Sequence, residues 1–326
     1  MLRNSWLVLM LICLPAAAEV EIQEWQVPWP DSRPRDPYLA ADGQVWFVGQ
    51  AGNYLASLDP ASGGFQRYDL PAGTAPHNLL VADDGRVWFA GNGAAYIGRL
   101  TPDSLAIETV DLPDTNGADP HTLVFDGHGD IWFSIQGGNH VGYLQTTSLE
   151  FELIPVKTRS ARPYGIVTDA DNHPWLTLFG SNRLATVNPD TMVLTEIELP
   201  RTEARPRRLD VSSEGDIWYV DYAEGYIGRY RPDTAAGQRF REWHTPAGKS
   251  AYPYAMAVDK NDNVWFVETG PAANRLVGFR PTTEEFFDAV EIPSGGGTVR
   301  HMHYDADSHT LWFGTDANTI GRAILP

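Results

Sequence analysis

The stretch "ADPHTLVFDGHGDIWF" (residues 118–133) compresses one structural unit into sixteen residues. A proline is followed by His121 and by an apolar run to Phe125. Then come a turn built from Asp, Gly and His, and a second apolar run, Ile131-Trp132-Phe133. Short apolar runs bounded by Gly, Asp and Pro read as β-strands joined by a hairpin turn. The same grammar returns along the chain. Aligning on the tryptophan after each turn gives Trp46, Trp88, Trp132, Trp175, Trp218, Trp265 and Trp312, at spacings of 42, 44, 43, 43, 47 and 47 residues. Each unit adds a short third strand, such as "YIGRL" (96–100), and a fourth that runs up to a proline, such as "FQRYDLP" (65–71). Four short strands repeated seven times at this period predict an all-β chain, a seven-bladed β-propeller with four-stranded blades. The last unit stops after its third strand, at "TIGRAILP" (319–326), whereas "EIQEWQVP" (21–28) reads as an unattached fourth strand. That N-terminal strand is therefore expected to complete the last blade and close the ring.

Residues 1–18 read as a secretory signal peptide. Arg3 is followed by an apolar run from Trp6 to Leu14 and by Ala16-Ala17-Ala18, with cleavage expected after Ala18. Residues 19–326 are then a single propeller domain, periplasmic or secreted. Cys13 is the only cysteine and lies inside the signal, so the mature chain holds neither disulfide nor reactive thiol. The whole chain carries 42 acidic residues against 24 Lys plus Arg, a net charge of −18. That sign disfavours nucleic acid and anionic membrane surfaces as partners. No apolar stretch is long enough to span a bilayer. The expected partner is a small molecule at the channel mouth, and the chain is expected to be a monomer.

The residue after each proline begins the strand nearest the propeller axis, so it is expected to face one mouth of the central channel. Counting back eleven from each tryptophan gives His77, His121, Tyr164, Arg207, Tyr254 and His301, and a shorter first turn is expected to put Tyr38 in the same place. Histidine offers a base or metal ligand near neutral pH, and Tyr and Arg offer donors to carbonyl or carboxylate groups. The alternative is a polar channel whose side chains satisfy one another and water. Asp221, Glu268 and Asp316 follow the tryptophans of the last three units at a distance of three or four residues. Oxygen ligands near a histidine suit Mg²⁺, with Glu268 and Asp316 as candidate ligands. The alternative is that these acids pair with Arg205, Arg207 or Arg208. "DGHGD" and "DKNDN" lack the remaining spacing of a calcium loop, and Gly295-Gly296-Gly297 precedes no helix, so neither carries a site.

The "PHNL" (76–79), "DGRVWF" (84–89) and "IGRL" (97–100) units, echoed in all seven blades, resemble the streptogramin B lyases, also called virginiamycin B lyases. That resemblance implies a propeller that linearises a cyclic depsipeptide by elimination at its ester bond, using Mg²⁺. A histidine would remove a proton α to a carbonyl while the metal stabilises the enolate oxygen. The family has a histidine after proline in the sixth blade, where this chain has Tyr254, and Glu-Pro-His in the seventh, matched here to Val299-Arg300-His301. On that match His301 is the base and Asp316 stands at the position of the second metal glutamate. Three readings follow. The chain is a lyase-like enzyme acting on an ester or lactone of a cyclic peptide or related molecule, a metal-dependent hydrolase of the gluconolactonase type, or a non-catalytic ligand- or protein-binding propeller. The resemblance favours the first.

Overall fold

In the computed structural model, residues 20–113 and 117–326 are described, and the expected signal segment 1–18 lies outside them. Seven antiparallel four-stranded sheets follow one another around an axis. Six blades are each built from four consecutive strands; blade 4, for example, runs Pro163–Thr168, Pro174–Leu178, Arg183–Asn188 and Val193–Glu198. The seventh combines Met302–Asp305, Thr310–Gly314 and Thr319–Ile324 with Glu21–Gln26, which pairs from Glu21↔Ile324 to Gln26↔Thr319. Ring closure by the N-terminal strand is thus as expected. Among the described residues no helix is long and apolar enough to cross a membrane.

The repeated tryptophan sits between blades. Trp88 of blade 2 packs with Leu123, Ile131 and Phe133 of blade 3, and Trp312 of blade 7 packs with Val45 and Phe47 of blade 1. Seven such inter-blade clusters replace one central core, and each buried tryptophan contributes about 3 kcal/mol of apolar burial. The aromatic after the tryptophan explains the recurring glycine of the third strand. Phe89 pairs across from Gly98, and a Cβ on that glycine would lie 2.1 Å from the Phe89 ring. Gly142 and Gly228 meet Phe133 and Tyr219 at the same 2.1 Å. The "IGR" and "WF" motifs are two halves of one contact. The following arginine lies over the tryptophan, Arg99 at 5.0 Å from the Trp88 ring.

The inner strands of five blades carry a bulge just after the ring residue, as between Pro163 and Ile166 in blade 4. The extra residue re-aims the side chains that follow the proline toward the axis. Hydroxyls of the second strands then tie neighbouring inner strands together. Ser134 Oγ donates to the Tyr164 carbonyl at 2.7 Å, and Thr177 Oγ1 donates to that of Arg207 at 2.8 Å.

Candidate functional site

The channel is divided into two chambers by a polar neck. Arg208 forms the neck and is only 3% exposed. Its Nη1 donates to Thr122 Oγ1 (3.1 Å), its Nε to the Arg300 carbonyl (3.1 Å), and its Nη2 lies 3.7 Å from Asp36 Oδ2. Asn78 Nδ2 donates to the same Asp36 oxygen at 3.0 Å. Burial alone would raise the Asp36 carboxyl, but His301, Arg208 and Arg35 around it hold it below its ordinary value. Asp36 also stands at φ 46°, in the left-handed region that a non-glycine residue occupies only when its surroundings impose it.

On one side of the neck lies the mouth that the ring count anticipates, a cavity of about 510 Å³. His77, His121, Tyr164, Arg207 and Tyr254 all line it. The His77 and His121 rings are 3.6 Å apart and His121 and Tyr164 4.1 Å apart. The Tyr164 and Tyr254 hydroxyls hydrogen-bond to each other, and Arg207 Nη1 donates to the Tyr254 hydroxyl at 2.8 Å. These five side chains converge.

Two ring assignments require correction. Tyr38 pairs with Trp46 as Val167 pairs with Trp175, so the first hairpin is not shortened and the residue after its proline is Arg35. Arg35 lines the mouth, whereas Tyr38 lies beyond the neck, stacked on His303 at 4.5 Å. In the seventh blade His303 pairs with Trp312, one residue further back than in the others. The longer turn moves the ring position from His301 to Arg300. Arg300 lines the mouth; His301 lines the second chamber, of about 410 Å³, with Tyr38, Phe125, Val167 and Met256. By the same register Val299, fully buried, fills the place held elsewhere by the proline.

The expected metal ligands are engaged by arginines. Glu268 is 0% exposed, ion-paired with Arg275, and accepts the Ala247 N–H at 2.7 Å. Asp316 is ion-paired with Arg300 and lies 3.7 Å from Arg33. Asp221 bonds Arg201 at 2.6 Å. The acids do pair with arginines, though with Arg201, Arg275, Arg300 and Arg33 rather than the three expected. Among the described residues no three His, Cys, Asp or Glu side chains gather to hold a metal. This donor set does not fit Mg²⁺.

The reading of the sequence overlooked Arg33, Arg35, Arg162, Arg300 and Phe179 at the mouth. A signal was present: Arg-Pro recurs at the start of inner strands, at 33–34, 162–163 and 205–206. The charge it brings is felt by the ring. Burial, then Arg35, His121 and Arg208, push the His77 imidazole well below its ordinary value; burial with Arg208, Arg35 and Arg207 does the same to His121. For Tyr164 burial would raise the phenol, yet Arg208, Arg35 and Arg207 lower it. Beyond the ring, burial lowers His301 to about 3 and His303 to about 4.

A pH dependence follows. A histidine depressed in the fold contributes stability that is fully present above its unfolded value near 6.5 and is lost as pH falls toward the folded value. Each of the four histidines then weakens the fold by up to about 1.4 kcal/mol per pH unit. Asp210, raised by burial to about 6, acts oppositely, since its contribution is present at low pH and lost as pH rises to 6. Four protons outweigh one. Thermal unfolding scans from pH 7 to 4.5 are expected to show a steep fall in Tm, and a flat profile down to pH 5 would show that the histidines take up protons without cost.

The sequence pattern of the virginiamycin B lyase family matches residues 16–152 and 148–325. The chain belongs to the virginiamycin B lyase family. A streptogramin B lyase structure is similar at 25% identity, covering 94% of this chain and 98% of that one, with a TM-score of 0.82. The virginiamycin B lyase of Staphylococcus aureus is 23% identical over 94% of this chain and all of its own, with a TM-score of 0.83; it has also been solved as a catalytically inactive histidine-to-alanine variant with quinupristin. Propellers of other kinds share the fold. YCF48 bound to a D1 peptide matches at 11% identity over 94% of this chain and 96% of that one, with a TM-score of 0.72. Curated protein sequences give no match. By strand register the seventh blade places Val299 and Arg300, not Arg300 and His301, where the other blades have their proline and ring residue.

Proposed function

We propose that this member of the family is a ligand-binding propeller that takes a small molecule into the arginine-lined mouth without metal-assisted elimination. The observation that carries this reading is Arg300. It occupies the seventh-blade ring position and is ion-paired with Asp316, so one side chain displaces the expected base and neutralises the expected ligand. Elimination α to a carbonyl needs a base of adequate strength and a counter-charge for the enolate. His77 and His121 face the mouth but are held far below neutral pH, which makes them weak bases. Glu268 is sealed behind Arg275. The same engagement of carboxylates counts against a metal-dependent hydrolase of the gluconolactonase type.

The mouth is suited to binding. Its volume falls within the range of small-molecule pockets, roughly 300–1,000 Å³, and its aromatic and hydrogen-bonding side chains are already locked against one another. Incubating the mature protein with quinupristin, with and without Mg²⁺, and separating the mixture by liquid chromatography with mass detection tests the proposal. Unchanged mass and retention are expected. A product of identical mass but shifted retention, abolished by chelator, would restore the lyase reading, and a product heavier by one water would restore the hydrolase.

A further inference from the structure

The lining of the mouth contains Arg33, Arg35, Arg162, Arg207 and Arg300 and, among the described residues, no carboxylate. This concentration occurs in a chain of net charge −18. Solubility does not explain it, because the excess positive charge is turned inward, toward one cavity. We propose that the ligand is a small multivalent anion, carrying at least two carboxylate or phosphate groups; the proposal rests on the ligand-binding reading above.

Three observations carry it. Arg35 is 6% exposed, and its Nη1 donates to Gln50 Oε1 at 2.8 Å, yet its Nε and Nη2 have no partner. A buried guanidinium with unpaired N–H groups is costly unless an acceptor meets it. Arg207 Nε is likewise buried and unpaired, and its guanidinium carbon lies 3.6 Å from the Phe179 ring centre, 4.3 Å from that of Tyr222 and 4.7 Å from that of Tyr254. Contact with three rings fixes the planar fork before the ligand arrives, which favours a planar or tetrahedral oxyanion over a diffuse contact. Third, the arginines repel one another: burial, then Arg300 and Arg35, push the Arg33 guanidinium below its ordinary value, although Asp316, paired with Arg300 and 3.7 Å from Arg33, offsets part of that charge. A single negative charge would relieve only part of that repulsion, whereas two or more spaced across the cavity relieve it at several arginines. The cavity limits the ligand to small-molecule size, and the acidic exterior turns away extended polyanions such as nucleic acid.

The test is isothermal titration calorimetry of the mature protein, in low salt without divalent cations, with citrate and with inorganic pyrophosphate. Trimethyl citrate, spermine and quinupristin serve as neutral or cationic comparisons. At least one of the two anions is expected to bind and to weaken as salt rises; the better of them tells polycarboxylate from phosphate. Arg207→Gln and Arg300→Gln are each expected to weaken that binding at least tenfold with the fold intact by circular dichroism, while Arg86→Gln, at a half-buried arginine paired with Asp84 outside the mouth, leaves it unchanged. Binding of a comparison compound with neither anion bound would overturn the anion assignment and keep the ligand-binding reading. Binding of nothing in the set would overturn both. Anion binding that both mouth variants retain in full would overturn the assignment to this cavity.

Discussion

A chain lacking residues 1–27 is expected to lose its single cooperative unfolding transition and to aggregate. The segment Glu21–Gln26 supplies the outer strand of the seventh blade along the full length of Thr319–Ile324. Trp25 stacks on Trp312 at 5.6 Å, and the Val27 N–H bonds the Asn318 carbonyl at 3.0 Å. Val20 and Val27 are buried, and Val20 joins the cluster shared by blades 6 and 7. Truncation removes these contacts and also leaves the Thr319–Ile324 strand as an unpaired edge, open to pairing with another chain. In a ring, each blade is held by both neighbours, so the damage is not confined to the outer strand. Calorimetry and light scattering measure the outcome. A truncated protein that stays monomeric with a Tm within about 5 °C of the intact chain would show that the ring is closed by inter-blade packing alone.

Arg208→Met is expected to destabilise the fold by about 3–5 kcal/mol, the usual consequence of removing one partner of a buried ion pair. The methionine keeps most of the volume but leaves Asp36, 2% exposed, with only Asn78 as a side-chain partner. It also deletes the bonds to Thr122 and to the Arg300 carbonyl, which join blades 3, 5 and 7 across the axis. Adding Asp36→Asn removes the stranded charge and is expected to recover at least half of the loss. Urea unfolding of the three variants (each single change and the pair) measures both effects. A loss below about 1 kcal/mol for Arg208→Met would mean that water already carries most of the Asp36 charge.

The two misplaced ring residues show where reading from sequence stops. The rule of counting back eleven from the tryptophan holds in six blades, the first included, because their hairpins are the same length. In the seventh the turn Asp305–Thr310 holds one more residue, and with a side-chain period of two a single-residue shift exchanges one channel face for another. His301 and Arg300 are adjacent in the chain and lie on opposite sides of the neck for that reason alone. Tyr38 fails by the opposite error, an assumed shortening that the pairing of Tyr38 with Trp46 does not bear out.

By itself the sequence determined the seven blades, the four strands in each, the period marked by the tryptophans and the strand that closes the ring. Those features are local and repeated: alternating burial, hairpin chemistry and the matched Phe and Gly of neighbouring strands recur every forty-odd residues and reinforce one another. Only the tertiary structure decided which side chains share the mouth and which acids remain free there. Arg208 meets Thr122 from 86 residues away and the Arg300 carbonyl from 92, and Asp316 is taken by arginines from two blades. Such pairings depend on where blades meet around an axis and on the length of single turns, and long-range charge partners of that kind leave no periodic trace in the chain.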